Sequence, residues 1–393
     1  MKANMKYRFG LVILFFAAAL VILGTTAVYH RGSLLALFFP ESVSVGELKT
    51  KYQTQRLRVL VVPGHDEDYS GTEFRGIKES DLTLKLGTEL FKLFNADPKF
   101  EAFITRDEKG YLPEFANYFS QNRSNIVSFR ERLKNTMNTL FEAGLVERRS
   151  IVDHNFAPEE VSVRLFGINK WANEKLIDLV VHVHFNDYPG HRADVPGMYS
   201  GFAEYVPESQ LPNAHASRAI AQSVFNELKN TMAVSNYPPE SAGVVDEQAL
   251  IAIGSNASLN ATVFLTEYGY ISDTQLRSEI MRDALFPEMA QQTYAGVKKF
   301  FEPSYRINKY DSKLLPHYWS KDLSTGLRDN TDVVALQKAL SLEKLYSSAL
   351  TGNFFEVTKG AVMAFQEKYL GKASDGHVVG PSTRAMLNSL YSK

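Results

Sequence analysis

Between residues 57 and 301 the apolar positions alternate between two rhythms, and the alternation predicts the architecture. Leu57 to Pro63 is a β-branched run without charge after Arg58, which has the length and content of a strand. A loop rich in Gly and acidic residues, Gly64 to Ile77, follows it. Leu82, Leu86, Leu90, Leu93 and Phe94 then recur at helical spacing and mark one apolar helix face. The same reading places strands at Phe100 to Arg106, Ile177 to His184 and Ala261 to Glu267. Helical patterns lie near Ile126 to Ala143, Ser217 to Met232 and Glu288 to Phe301. Strands alternating with helices predict an α/β domain over 56–303, with a mostly parallel sheet flanked by helices. Ligands of such sheets gather at the carboxyl ends of the strands.

The rhythm breaks at both ends. Gly10 to Tyr29 is apolar and uncharged, and a helix of roughly 20 such residues crosses a ~30 Å hydrocarbon layer. Lys2, Lys6 and Arg8 precede it, and no A-x-A-like cleavage site lies between Gly24 and Arg31. These features predict an uncleaved, single-pass transmembrane helix over 10–29 in the cell membrane. Residues 1–9 are then a cytoplasmic basic tail, with all that follows outside. Residues 30–55 read as a spacer. After Phe301 the pattern fades into a linker-like stretch, 304–328, containing Pro316. Apolar periodicity returns at Val333, Val334, Leu336 and Leu340, then Ala361, Val362 and Phe365, then Met386, Leu387 and Leu390. It predicts a small three-helix domain over 329–393.

Composition narrows the function. A chain of 393 residues, 45% hydrophobic and 22% charged, is globular and long enough for two folded units. Its formal charge of -1 gives no basic field for nucleic acid. Without cysteine, any metal site must use His and carboxylates.

Four such residues stand at or just beyond the carboxyl ends of strands, or open the next helix: His65, Glu79, His184 and Glu267. Two imidazoles and a carboxylate form the nitrogen and oxygen set typical of catalytic zinc, which keeps a position open for water. Taken singly each has a plainer reading, since a Glu at a helix start also complements the helix dipole. Glu267, ending the apolar run Val263-Phe264-Leu265, is the least ordinary, because a buried carboxylate is costly unless paired. His182 shares a strand face with His184, so both rings are placed to face a metal. Asn186 and His191 are further pocket candidates. His154, His215, His317 and His377 read as structural or exposed.

The segments around these residues resemble, in order, the motifs of the zinc-dependent N-acetylmuramoyl-L-alanine amidases. Val61-Val62-Pro63-Gly64-His65 is similar to the family's first strand and Gly-His turn, with Glu79 at the expected distance. Arg164, Trp171-Ala172-Asn173 and Leu179 to Asn186 resemble its Arg, Ala-Asn and strand-Ser-x-His-x-Asn block. Leu265-Thr266-Glu267-Tyr268-Gly269-Tyr270-Ile271-Ser272-Asp273 resembles its Glu-x-Gly-Phe-x-Ser-Asn block. The resemblance implies that His65, Glu79 and His184 bind Zn2+ and that Glu267 is the catalytic acid/base. It implies cleavage of the amide between N-acetylmuramic acid and the L-alanine of the stem peptide. It favours His184 over His182 as ligand, leaving His182 and Asn186 as substrate-binding candidates. The chain departs from the family at Val62, at Asp66 and Glu67, and at His182, where the family has an acid, two glycines and a small hydroxyl residue.

The C-terminal unit resembles a peptidoglycan-binding domain through Asp332 to Gln337, Thr351 to Phe354, Ala361 to Gln366 and Val379 to Arg384. Peptidoglycan is therefore the expected partner. Segments 107–125 and 207–248 exceed simple connections. They are expected to line a glycan cleft, to cover the metal until an activator protein opens it, or to be passive surface insertions. The rival readings are a catalytically silent wall-binding protein and a zinc peptidase acting within the stem peptide.

Overall fold

A computed structural model of the protein describes residues 43–149, 157–253, 261–307, 312–371 and 375–393. The expected transmembrane helix at 10–29 lies outside the described residues; among those described, no helix is long and apolar enough to cross a membrane.

The described chain opens with helix α1 (Val45–Thr54) inside the stretch read as a spacer. Ser44 and Glu47 form a reciprocal capping box, with the Glu47 amide donating to Ser44 Oγ at 3.0 Å. Leu48 and Tyr52 are buried, and the Tyr52 ring stacks on Phe301 with centroids 4.5 Å apart. Only these two positions of the helix are buried, so the apolar signal was too sparse to read among its lysines.

The sheet-forming and covering elements are β1 (Leu57–Pro63), α2 (Glu79–Ala96), β2 (Phe100–Ile104), α3 (Pro113–Gln121), α4 (Arg123–Glu142), α5 (Glu159–Glu174), β3 (Leu179–Asn186), β4 (Ala203–Pro207), α6 (Ala214–Leu228), β5 (Val244–Glu247), β6 (Thr262–Tyr270) and α7 (Glu279–Phe301). The sheet order is β2-β1-β3-β6-β4-β5. The first four strands run parallel, and β4 pairs antiparallel with β6 while carrying β5 parallel to itself. The expected α/β fold with a mostly parallel sheet flanked by helices is what forms.

Strand alternation explains the layering. Val59, Val61, Val181, Val183 and Phe264 face α2, α6 and α7. Leu60, Val62, Val180, Val263 and Leu265 face the other side, where Phe115 of α3 and Trp171 of α5 pack. Both faces are covered, so the central strands read as continuous apolar runs.

Helices α8 (Thr331–Leu342), α9 (Glu356–Leu370) and α10 (Pro381–Tyr391) build the C-terminal unit. Asn330 caps α8, accepting from the Val333 amide at 3.1 Å. Much of the stretch read as a linker belongs to this unit. Leu315 and Trp319 are buried, the Trp319 indole donates to the Asp332 carbonyl at 2.9 Å, and Leu323–Ser324 pairs with Val378–Val379. The unit packs on the α/β domain, where Lys338 of α8 and Glu288 of α7 form an ion pair at 2.7 Å with both side chains buried.

Candidate active site

The site is assembled where β1, β3 and β6 end. Gly64 extends the β1–β3 pairing by one bond, donating to the Val183 carbonyl at 2.9 Å. His65 follows in the left-handed region at φ 60°. A Cβ on Gly64 would sit 2.3 Å from the His184 ring, and one on Gly71 would sit 2.4 Å from Glu79 Oε2. Glycine at both positions lets the backbone close around the two side chains.

Glu79, the first residue of α2, is 4% exposed and lies between two imidazoles. Its Oε1 is 2.9 Å from His184 Nδ1 and accepts from the Phe185 amide at 3.2 Å. Its Oε2 is 3.1 Å from His65 Nε2 and accepts from the Thr72 amide at 3.0 Å. One ligand atom from each of His65, Glu79 and His184 lies within 4.8 Å of the others. Two nitrogens and a carboxylate oxygen in that arrangement suit a divalent metal of the zinc type.

Glu267 on β6 is in register with His184 on β3, which puts it beside this group. A bulge between Glu267 and Tyr270, with Gly269 at φ 138°, turns the chain just beyond it. His65, Tyr69, Glu79, His184, Asn186, Tyr188 and Glu267 line one cavity of about 500 Å³.

Charge follows placement. Burial alone would push the Glu79 carboxyl up, but His65 and His184 hold it well below the usual carboxylate range. Burial alone would lower the His65 pKa, and the Glu79 carboxylate more than reverses this. Glu267 is pushed well above the ordinary value by burial and by the negative charges of Glu79 and Glu240. Its Oε2 is buried with no hydrogen-bond partner among the described residues. A carboxyl so placed at the cavity edge is suited to hold and release a proton.

Two of the expected residues sit differently from the sequence reading. His182 is 1% exposed and does not line the cavity, and neither ring nitrogen has a hydrogen-bond partner among the described residues. It lies one pleat back along β3, in register with Val62 and Leu265. Burial, with the nearby His184, depresses its pKa to about 3. The expected substrate contact from His182 is therefore corrected: in this structure it is a neutral core residue. Asn186 does reach the cavity, but its amide group is engaged within the protein. Nδ2 donates to Glu240 Oε1, and Oδ1 accepts from the Asp187 amide at 2.8 Å.

Glu240 was not found from the sequence. This buried carboxylate also accepts from Ser235, from the Tyr205 hydroxyl at 2.6 Å and from the Tyr270 hydroxyl at 2.8 Å. It thereby ties together the ends of β3 and β6 and the middle of β4, and nothing in the surrounding Tyr-Pro-Pro-Glu-Ser sequence signals that role. Arg164 braces the loop after His65, donating to Asp66 and Asp68 at 2.6 Å each. His191 is bonded to the Val195 carbonyl at 2.7 Å, away from the cavity wall. His317 pairs with Asp332 at 2.9 Å, while His215 and His377 are exposed and His154 lies outside the described residues.

An α/β sheet that brings two imidazoles and two carboxylates to one cavity at its carboxyl ends defines a class of protein with a candidate metal-binding active site of nitrogen and oxygen donors. Residues 59–299 match the family model of N-acetylmuramoyl-L-alanine amidase, and residues 329–387 match that of a putative peptidoglycan binding domain. The chain belongs to the N-acetylmuramoyl-L-alanine amidase family, and its activity is that of a peptidoglycan amidase.

Solved structures similar to it include an amidase from Clostridium difficile 630, at 14% identity and TM-score 0.40, with 64% of this chain and 100% of that chain covered. Amidase AmiC2 of Nostoc punctiforme shows 16% identity and TM-score 0.38, covering 63% and 97%. Ami1 from Mycobacterium smegmatis shows 13% identity and TM-score 0.41, covering 64% and 99%. No curated protein matches the chain.

Proposed function

We propose that the amidase works through a zinc ion held by His65, Glu79 and His184, with Glu267 as its acid/base. The observation that carries this reading is the convergence of the three donors within 4.8 Å on a cavity wall that also holds Glu267. Bound zinc supplies the positive charge that polarises a carbonyl and acidifies water. The protein's own part is positional. Phe185 and Thr72 amides fix the Glu79 carboxylate, and the glycines let His65 and His184 approach it. Glu267 takes a proton from the attacking water and returns it to the leaving amine, so that the stem peptide is released with a free amino group on its L-alanine. No covalent enzyme intermediate is needed.

The C-terminal unit holds the enzyme on peptidoglycan, as its family match supports. Residues 10–29 anchor the chain as a single-pass helix in the cell membrane, with the catalytic part outside. The apolar run after Lys2, Lys6 and Arg8 supports this placement.

The test is to incubate residues 43–393 with purified peptidoglycan and zinc, beside Glu267→Ala, and identify the released ends by mass spectrometry. Stem peptides beginning with L-alanine, absent in the variant, are expected. Release of shortened peptides alone would show a peptidase instead, and binding without release a silent wall-binding protein.

A further inference from the structure

Arg106 lies just past the carboxyl end of β2, 4% exposed, and does not line the active-site cavity. Its guanidinium donates to four oxygens: the Pro63 carbonyl at 3.3 Å, the Gly64 carbonyl at 3.0 Å, the Ser80 carbonyl at 2.8 Å and Thr83 Oγ1 at 3.0 Å. None of them is a carboxylate. The Thr83 hydroxyl passes the contact on, donating to the same Gly64 carbonyl at 2.6 Å. A buried cation with no ion pair among the described residues is a costly feature. It is spent on a narrow stretch of backbone, the residues just before His65 and just after Glu79.

We propose that Arg106 is the positioning residue of the metal site, locking the turn that carries His65 to the first turn of the helix that carries Glu79. The turn needs such a lock. His65 is a non-glycine residue at φ 60°, a conformation that persists only where the surroundings fix it. The lock also needs this side chain. A planar fork reaches carbonyls on two elements at fixed angles, whereas a lysine ammonium on a flexible stem cannot hold both at once. Thr83, one turn along α2 from Glu79, completes the staple from the helix side. Arg106 touches neither the cavity nor the three donor atoms, so its contacts reach the metal site through the backbone beside two of its ligands.

This inference rests on the metal reading given above. The test uses the full chain and measures zinc affinity by competition with a chromogenic chelator, together with the visible spectrum of the cobalt-loaded protein. Folding is followed by circular dichroism and thermal melting. Removing groups that orient metal ligands typically costs roughly 10–100-fold in affinity. Arg106→Lys, which keeps the charge and loses the fork, is expected to melt cooperatively but to bind zinc at least tenfold more weakly, with altered cobalt bands. Thr83→Val is expected to show the same change in smaller measure. A folded Arg106→Lys chain with wild-type zinc affinity and cobalt spectrum overturns the proposal, even if its activity falls. Should Arg106→Lys fail to fold, unchanged zinc affinity in Thr83→Val overturns it. A wild-type chain that takes no zinc overturns the metal reading itself, and the proposal with it.

Discussion

Glu267, at the cavity wall, and His182, in the core behind it, show how differently two titratable residues on neighbouring strands can respond to their surroundings. The Glu267 carboxyl is pushed well above its ordinary pKa by burial and by the charges of Glu79 and Glu240. A carboxyl whose folded pKa is raised contributes stability fully below its unfolded value, near 4.5, and loses it as pH rises through the folded value. In metal-free protein, Glu267→Gln is therefore expected to match wild type in melting temperature near pH 4 and to exceed it at pH 8. Calorimetry in chelator checks this, and equal melting temperatures at both pH values would contradict it. The same variant is expected to lose about 10²–10⁴-fold in activity, because the proton carrier is gone. His182 behaves in the opposite sense. Its folded pKa is lowered to about 3 by burial, so its contribution is present above 6.5 and is lost as pH falls from there towards 3. Replacing it by leucine should remove up to about 1.4 kcal/mol per pH unit from the slope of unfolding free energy across that window. The sequence brought His65, Glu79, His184 and Glu267 to attention because residue type and strand ends carry that signal. It could not tell that His182 is buried and unpartnered, since strand alternation assigns a face and not a depth.

Among the elements, legibility followed the apolar pattern. β1, β2, β3 and β6 were readable because both faces of the sheet are covered, leaving runs such as Val59 to Val62 unbroken. β4 and β5 were not, since Glu204 and Glu247 are wholly buried within them and read as loop. α7 starts at Glu279 and passes through Pro287, whereas the sequence reading began it after that proline. α1 was hidden by its lysines, although Ser44 and Glu47 carry the capping box that starts it. Ser44→Ala is expected to cost about 1 kcal/mol, read as a lower denaturation midpoint in urea with an unchanged slope. An unchanged midpoint would mean that the Ser44 cap adds nothing measurable to the fold. Where elements meet, the tolerance is smaller. Gly64→Ala places a methyl group against the His184 ring at 2.3 Å, so it is expected to abolish zinc binding while the far-ultraviolet spectrum stays that of wild type.

Taken as a whole, the molecule departs most from the picture of two units on a loose tether. Leu315 and Trp319 are packed inside the C-terminal unit, and Ser341 of α8 donates to the Asn230 carbonyl beyond α6 at 2.7 Å. The ion pair between Lys338 and Glu288 closes the same boundary. Burial would raise the Glu288 carboxyl, but Lys338, with Ser312 and the Lys313 amide, holds it below the ordinary value. Such a pair adds little net stability compared with apolar residues of the same size, yet losing one partner leaves a bare charge in the interior. Lys338→Met is therefore expected to destabilise the protein by about 3–5 kcal/mol, and a second change, Glu288→Leu, to recover most of the loss. The route of that loss bears on function. If the units fold as one body, wild type melts in a single transition by calorimetry, and Lys338→Met lowers that transition without splitting it. Two transitions in wild type, with only the C-terminal one moved by Lys338→Met, would mean that the wall-binding unit is an independent module. A single transition would instead mean that peptidoglycan held by the C-terminal unit meets the catalytic cavity in one fixed orientation, set by the packing of α8 on α7.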